Sequence, residues 1–296
     1  MVSKRKKFMS SFYSGKVILS GEHSVVYGYQ AVLASLDLGI SCIAKEGSLS
    51  HEQKSDLYLQ HILEMFSKLA QIKEIQLALK IKSNLPQKSG LGSSAAFAAA
   101  VFSELADFYN YSLNQDRLYK LVLEAENFIH GRSSGADPAI VVYGGLIAFS
   151  QGKVEHLPDL ALAKKSFFLI DSGIADESTG EMVAKVAANK SSRPFIDEIG
   201  GISQKMIVDL KNSFFNPQLL NENQALLEEI GIIADSVKDT IRQLQKLGAF
   251  CKITGAGGLK SGSGFILAFH QNEANFEQNL KNMGLSFFKT QLGNTK

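Results

Sequence analysis

A segment rich in glycine and serine, Ser89-Gly90-Leu91-Gly92-Ser93-Ser94, has the clearest chemical potential in this sequence. Gly90 and Gly92 allow a close backbone approach and positive φ angles. An alanine-rich stretch without a helix breaker follows, so the free N–H groups of a helix would face the segment and favour an anion. Of Ser93 and Ser94, one hydroxyl could cap this helix and the other could bind Mg²⁺. The segment predicts a phosphate-binding loop, although an ordinary capped turn has the same pattern.

Two well-known phosphate motifs do not explain this segment. Gly90, Gly92 and Ala95 match the G-x-G-x-x-A pattern of dinucleotide-binding folds. However, no acidic residue ends a strand about 20 positions later, because residues 95–130 have a helical pattern. Residues 255–261 resemble a P-loop, but Leu259 replaces the glycine that this motif requires before its lysine. We therefore predict neither motif.

Three charged residues could carry out phosphoryl transfer beside such a loop. Transfer to an alcohol requires a fixed carboxylate near the hydroxyl, an acidic ligand for Mg²⁺ and a cation. Asp137, Glu126 and Lys16 could supply these groups. Pro138 predicts an extended backbone at Asp137, which would hold its carboxylate rigidly. Each residue taken alone also has a structural interpretation, as a turn residue, a helix-surface acid or a solvated strand end.

Composition excludes several other classes of protein. The chain has 296 residues, a net charge of +2 and 45% hydrophobic residues, which indicates a folded protein without a strong field for nucleic acid or anionic membranes. Two cysteines, Cys42 and Cys251, are too few for a disulfide scaffold, so we expect a cytoplasmic protein. His23 has no second histidine or cysteine at metal-ligand spacing. Neither a signal peptide nor a membrane helix is predicted, because the basic residues 4–7 precede polar residues and apolar runs are short.

Hydrophobic periodicity places the phosphate loop between a strand and a helix. In the first half, we predict strands at 16–20, 31–36, 40–45, 76–83, 139–149, 154–157 and 166–171, and helices at 56–72, 93–109 and 114–130. In the second half, we predict helices at 178–188, 195–215, 222–247 and 273–283, and strands at 250–254, 264–269 and 285–290. Asn114 and Gly131 suit the N-cap and C-cap of one helix.

Three segments together resemble the motifs of the GHMP kinase superfamily. GKVILSGEHSVVYG at 15–28 resembles its first motif, PQKSGLGSSAA at 86–96 its ATP loop, and KITGAGG at 252–258 its third motif. Residues 126–145 and 170–186 also resemble family segments in the same order. The resemblance therefore extends over nearly the whole chain.

The resemblance implies an α+β, two-domain GHMP kinase fold with the site between its halves. The N-terminal domain, 1–170, would be a ribosomal-protein-S5-like β-α-β domain that carries the ATP loop and the catalytic aspartate. The C-terminal domain, 171–296, would be a ferredoxin-like α/β domain. A homodimer is also implied by the resemblance.

Roles for individual residues follow from the same resemblance. Asp137 would be the catalytic base, Lys16 would lie beside the acceptor hydroxyl, and Ser94 with Glu126 would hold Mg²⁺. The ATP phosphates would contact Pro86, Ser89, Gly90, Leu91, Gly92, Ser93, Ser94 and Ala95. The acceptor would contact Glu22, His23, Thr179, Gly255 and Ala256.

The resemblance is strongest to the family members that phosphorylate mevalonate, which implies ATP, Mg²⁺ and mevalonate as ligands. Two alternatives stay open: a kinase for phosphomevalonate, for which Arg132 could supply an extra cation, and a non-catalytic ligand sensor on the same fold. One departure from the family pattern bears on the site. Leu259-Lys260-Ser261 interrupts the glycine run of the third motif and could alter how this loop covers the nucleotide.

Overall fold

A computed structural model describes residues 11–86, 89–131 and 133–293, in which nine strands form two antiparallel sheets. The first sheet has the order β1-β2-β4-β5, with β3 also paired to β2. Its strands are β1 (Ser11–Ser20), β2 (Ala31–Lys45), β3 (Ala78–Ser83), β4 (Leu146–Ser150) and β5 (Lys153–His156). The second sheet has the order β7-β8-β6-β9. Its strands are β6 (Phe167–Asp171), β7 (Phe250–Ile253), β8 (Phe265–Phe269) and β9 (Phe287–Thr290).

Ten α-helices cover these sheets in the described part of the chain. They are α1 (His51–Ser55), α2 (Leu57–Ala70), α3 (Ser93–Phe108), α4 (Gln115–His130), α5 (Ala136–Tyr143), α6 (Thr179–Ala188), α7 (Arg193–Lys211), α8 (Gln218–Ile230), α9 (Asp235–Lys246) and α10 (Glu273–Asn282). α3 packs against β1 and β2. Its alanines, among them Ala95 and Ala99, are fully buried, and their small size lets the helix lie close to the strands.

The second sheet joins two hydrophobic cores, because side chains alternate between the faces of a strand. Phe167 and Leu169 of β6 face a core that also contains Phe102 of α3. Phe168 and Ile170 of the same strand face the opposite core, which the helices of the second half close. The predicted division after residue 170 falls inside β6, all of which belongs to the second sheet. The division into domains 1–170 and 171–296 stays a prediction.

The structure confirms the predicted caps of α4. The side chain of Asn114 accepts a hydrogen bond from the N–H of Arg117, and Gly131 ends the helix with a φ of 74°. β4 and β5 pair as a hairpin across Gln151-Gly152.

Three predictions of secondary structure were wrong. The predicted strand at 139–149 is α5 followed by β4, since a short apolar run buried on all sides has no period that separates helix from strand. The predicted helix at 222–247 is two helices, which part at Gly231 with its φ of 78°. The predicted strands at 31–36 and 40–45 are one continuous strand, β2.

Helix α8 covers the outer edge of β7. The side-chain oxygen of Asn221 accepts a hydrogen bond from the N–H of Cys251 at 2.8 Å. The side-chain oxygen of Gln224 does the same for the N–H of Ile253 at 3.0 Å. These two donors would otherwise be unpaired at the end of the sheet, so the amide side chains take the place of a further strand.

Candidate functional site

The edge of β1 that is not paired with β2 contacts the other parts of the site. The N–H of Lys16 donates to the carbonyl of Leu91 at 2.9 Å. Leu91 belongs to the predicted phosphate-binding segment at residues 89–94, which we call the glycine loop. Two residues after Lys16, the N–H of Ile18 donates to Oγ1 of Thr254, just beyond β7, at 2.8 Å. Neither bond belongs to the ladder of the first sheet. The edge of β1 therefore contacts the glycine loop and the second sheet at neighbouring positions.

Lys16 and Asp137 form an ion pair at this edge. Nζ of Lys16 lies 3.0 Å from Oδ1 of Asp137, and the two side chains are 3% and 34% exposed. The prediction of an extended backbone at Asp137 was wrong, because Asp137 and Pro138 lie in the first turn of α5. Proline fits a first helical turn, where its missing N–H has no helical partner to lose. The helix start fixes the carboxylate, which remains accessible.

The glycine loop is shaped by two positive φ angles, 75° at Gly90 and 74° at Gly92. A Cβ atom at Gly92 would lie only 2.8 Å from Cγ of Lys16, so a larger residue would displace the lysine. Gly92 is the N-cap of α3 and has no side chain with which to cap the helix. The prediction that Ser93 or Ser94 caps this helix was therefore wrong. The first-turn N–H groups lack a side-chain cap, as an anion site requires.

Glu126 lies near the end of α4, and its buried carboxylate contacts the start of α3 through Ser94. Its side chain is 3% exposed and lies 3.6 Å from Nε2 of His130. The hydroxyl of Ser94 hydrogen-bonds to it, and the hydroxyl of Tyr58 donates to its Oε1 at 3.1 Å. Burial raises the pKa of Glu126, and the negative charge of Asp137 raises it further. A carboxylate and a hydroxyl are hard oxygen donors, so Ser94 and Glu126 fit Mg²⁺ chemically.

Glu22 is buried in the turn that follows β1. Its carboxylate forms an ion pair with Lys252 of β7, and both side chains are almost fully buried. Nδ2 of Asn223 on α8 donates to its other oxygen at 3.5 Å. The hydroxyl of Ser20 donates to Oδ1 of the same asparagine at 2.8 Å. Burial raises the pKa of Glu22 and lowers the pKa of Lys252. A contact between Glu22 and the acceptor stays a prediction.

His23 has a positive φ of 59° and a ψ of −41°, which lies outside the left-handed helical region. Its Nε2 lies 3.1 Å from the carbonyl oxygen of Ala256 in the third motif. Among the described residues, its buried Nδ1 has no hydrogen-bond partner. Burial lowers the pKa of His23, so the neutral imidazole is favoured.

The loop that follows the third motif lies against the glycine loop at residues 89–94. A Cβ atom at Gly264 would lie 2.6 Å from the carbonyl oxygen of Ser89, which only glycine permits. Two acidic residues, Asp176 and Glu177, bind the Leu259-Lys260-Ser261 segment that departs from the family pattern. The N–H of Leu259 donates to Glu177 at 3.1 Å, and the hydroxyl of Ser261 donates to Asp176 at 2.9 Å.

Thr179, a further predicted residue, lies near the end of α4. Thr179 begins α6 and is exposed. A Cβ atom at the adjacent Gly180 would lie 3.5 Å from the carbonyl of His130, so the start of α6 lies beside the end of α4. Arg132, the candidate extra cation, lies outside the described residues.

Three site residues were not predicted: Lys252, Asn223 and Tyr58. Lys252 opens the third motif, so the motif itself could have indicated it. Asn223 and Tyr58 have no signal in the sequence, because each reaches the site through a hydrogen bond to a residue far along the chain.

The sequence matches the family model described as GHMP kinases N terminal domain over residues 58–145. It is 31% identical over 259 residues to the mevalonate kinase of Archaeoglobus fulgidus, covering 82% of this chain and 87% of the relative. It is 30% identical over 286 residues to the mevalonate kinase of Thermococcus onnurineus, covering 82% and 84% of the two chains.

Solved structures share the fold over nearly the whole chain. The mevalonate kinase of Methanococcus jannaschii superposes with a TM-score of 0.83 at 23% identity, covering 98% of this chain and all of the other. The mevalonate kinase of L. major in complex with R-mevalonate gives a TM-score of 0.81 at 22% identity, covering 99% of each chain. These similarities confirm the two-domain GHMP kinase fold.

Proposed function

The chain belongs to the mevalonate kinase family of the GHMP kinases, and on that premise we propose that it transfers the γ-phosphoryl group of ATP to the C5 hydroxyl of mevalonate. Membership makes it an ATP-dependent small-molecule kinase. The observation that carries the proposal is the ion pair of Lys16 and Asp137, which lies directly beside the glycine loop.

In the proposed reaction, Asp137 accepts the proton of the acceptor hydroxyl, and the oxygen of that hydroxyl attacks the γ-phosphorus. The bond to the β,γ-bridging oxygen breaks, and ADP leaves with the electron pair. Nζ of Lys16 orients the hydroxyl and neutralises charge that develops on the phosphoryl oxygens. The glycine loop and the start of α3 bind the phosphates through backbone N–H groups.

Ser94 and Glu126 would hold Mg²⁺, which neutralises the charge of the β- and γ-phosphates when bound. The buried carboxylate of Glu126 has, among the described residues, the imidazole of His130 as its basic neighbour, at 3.6 Å. A metal ion would stabilise its charged form, which burial disfavours. Glu22, His23, Thr179, Gly255 and Ala256 would surround the acceptor. A homodimer stays a prediction, and no helix in the described ranges is long and apolar enough to cross a membrane.

Release of ADP in the presence of ATP, Mg²⁺ and mevalonate tests this function. We expect turnover by the wild type and a decrease of about 10²- to 10⁴-fold in kcat for Asp137→Ala, because the base is lost. Asp239→Ala is the matched control, since Asp239 is 65% exposed on α9 and pairs only with surface residues. Its kcat should equal that of the wild type.

Phosphomevalonate, in place of mevalonate, tests the alternative acceptor in the same assay. Faster turnover with phosphomevalonate would assign the chain to that reaction. ATP binding without turnover on either acceptor would favour the ligand sensor.

A further inference from the structure

Lys252 is a fully buried lysine whose role the proposed reaction does not explain. Its ammonium group contacts the carboxylate of Glu22, the carbonyl of Ile18 at 3.1 Å and the carbonyl of Ile253 at 2.7 Å. An ammonium group has three donors, so all of them are used. Two of the three acceptors belong to the first sheet and its following turn, whereas Lys252 itself lies in the second sheet.

These contacts hold the edge of β1 that faces away from β2. The carbonyl of Ile18 accepts a hydrogen bond from Lys252, and the N–H of Ile18 donates to Thr254 at 2.8 Å. Both partners come from β7 and the residue that follows it. Lys16 lies two positions earlier on the same strand, and the turn with Glu22 lies four positions later. The strand is thus held from the second sheet between Lys16 and the acceptor turn.

Stability alone does not account for an ion pair in this place. Desolvation of two charges costs several kcal/mol per ion, and an apolar pair of similar size is often as stable or more stable. A charged pair does provide directional contacts, because the ammonium group must meet each acceptor at hydrogen-bond distance. The pair therefore fixes geometry more than it adds to the free energy of unfolding.

We propose that Lys252 is a positioning residue, which clamps Ile18 and Glu22 to the second sheet and thereby holds Lys16 at its distance from Asp137. It acts through β1 and does not touch the reacting atoms. Its kinetic consequence rests on the proposed function, whereas its effect on β1 does not.

Steady-state kinetics of Lys252→Met measure the consequence for the reaction. Methionine has a similar length without charge, so β1 should lose its clamp and kcat should fall about 10- to 100-fold. The KM for ATP should change less than about twofold, because the three hydrogen bonds of Lys252 go to Ile18, Glu22 and Ile253 and none goes to the glycine loop. Asn221→Ala is the matched control, since it removes the hydrogen bond to Cys251 on the same strand without touching β1. It should lower Tm and leave kcat unchanged.

A second variant separates positioning from folding. Lys252→Met leaves the Glu22 carboxylate buried without its partner, which lowers Tm. The double variant Glu22→Gln/Lys252→Met removes that charge and should regain much of the Tm, while the amides of residues 16–24 still exchange faster than in the wild type. Recovery of kcat together with Tm would overturn the proposal.

Hydrogen exchange supplies a readout that does not depend on turnover. Amides of residues 16–24 should exchange faster in Lys252→Met than in the wild type, and at the wild-type rate in Asn221→Ala. Equal exchange in all three proteins would refute the clamp. If the wild type failed to phosphorylate mevalonate, the proposed function would be lost, but the exchange result would still decide whether Lys252 holds β1.

Discussion

The proposed donor side of the site and its proposed acceptor side are built on different principles. The donor side comprises the glycine loop, Ser94 and Glu126, and it relies on backbone groups at the start of α3. The acceptor side comprises the turn at residues 21–23 with Lys252 and Asn223, and it relies on buried side chains from three separate parts of the chain. A short local segment can specify the first. The second requires the whole fold, so the two sides should respond differently to substitution.

Gly92→Ala should have the largest effect, because it affects both sides at once. The new Cβ would lie 2.8 Å from Cγ of Lys16 on a backbone with a φ of 74°. We expect kcat/KM to fall about 100-fold as Lys16 moves away from Asp137. Steady-state kinetics with both substrates measure the loss.

Gly152→Ala is the control for backbone strain in that experiment. Gly152 has a φ of 78°, and nothing lies within 4 Å of its added Cβ. This variant should lose stability but keep its kcat. Equal kinetic losses in both variants would show that strain, and not the displacement of Lys16, causes the effect.

Tyr58→Phe should have an intermediate effect that is confined to the donor side. Its hydroxyl donates to Oε1 of Glu126 at 3.1 Å, so its removal frees the carboxylate to rotate. We expect the apparent affinity for Mg²⁺ to fall about tenfold, as for other groups that orient a metal ligand. The rate as a function of Mg²⁺ concentration, at saturating ATP and mevalonate, measures this change.

Tyr13→Phe is the matched control for Tyr58→Phe, because the Tyr13 hydroxyl also bonds to α3, at Ser103 and 2.5 Å away. It should leave the Mg²⁺ dependence unchanged. A normal Mg²⁺ dependence in Tyr58→Phe would mean that the Tyr58 hydroxyl does not orient Glu126.

The donor side is also the part that the sequence predicted best. The glycine loop, its place before a helix, and Asn114 and Gly131 as caps of α4 all depend on residues close in the chain. The pairing of Lys252 with Glu22 spans 230 positions, and no local pattern reports a contact of that length. Helix α5 was missed for another reason, since its buried faces remove the periodicity that separates helix from strand.

The smallest expected effect is a pH dependence of stability on the acceptor side. Burial lowers the pKa of His23 in the folded protein below its value in the unfolded chain. The unfolded state therefore binds more protons as the pH falls below about 6.5, and the free energy of unfolding decreases. His23→Asn removes this titratable group and keeps a polar side chain.

Thermal unfolding from about pH 7.5 to about pH 5.5 measures that dependence. The Tm of the wild type should fall more than the Tm of His23→Asn over this range. His51→Asn, at an exposed position, should follow the wild type. Parallel curves for all three proteins would show that burial of His23 does not couple its protonation to folding.

The bond between the N–H of Ile18 and Thr254 spans 236 positions, and this distance has a consequence for synthesis of the chain. A ribosome releases β1 long before residues 252–254 exist, so the N–H and carbonyl of Ile18 remain unpaired at the strand edge while most of the protein is made. Such an edge invites pairing with other chains. At about 5 to 20 residues per second, the wait lasts from roughly ten seconds to nearly a minute. Newly made chains should therefore depend on chaperones until the last third of the sequence has emerged.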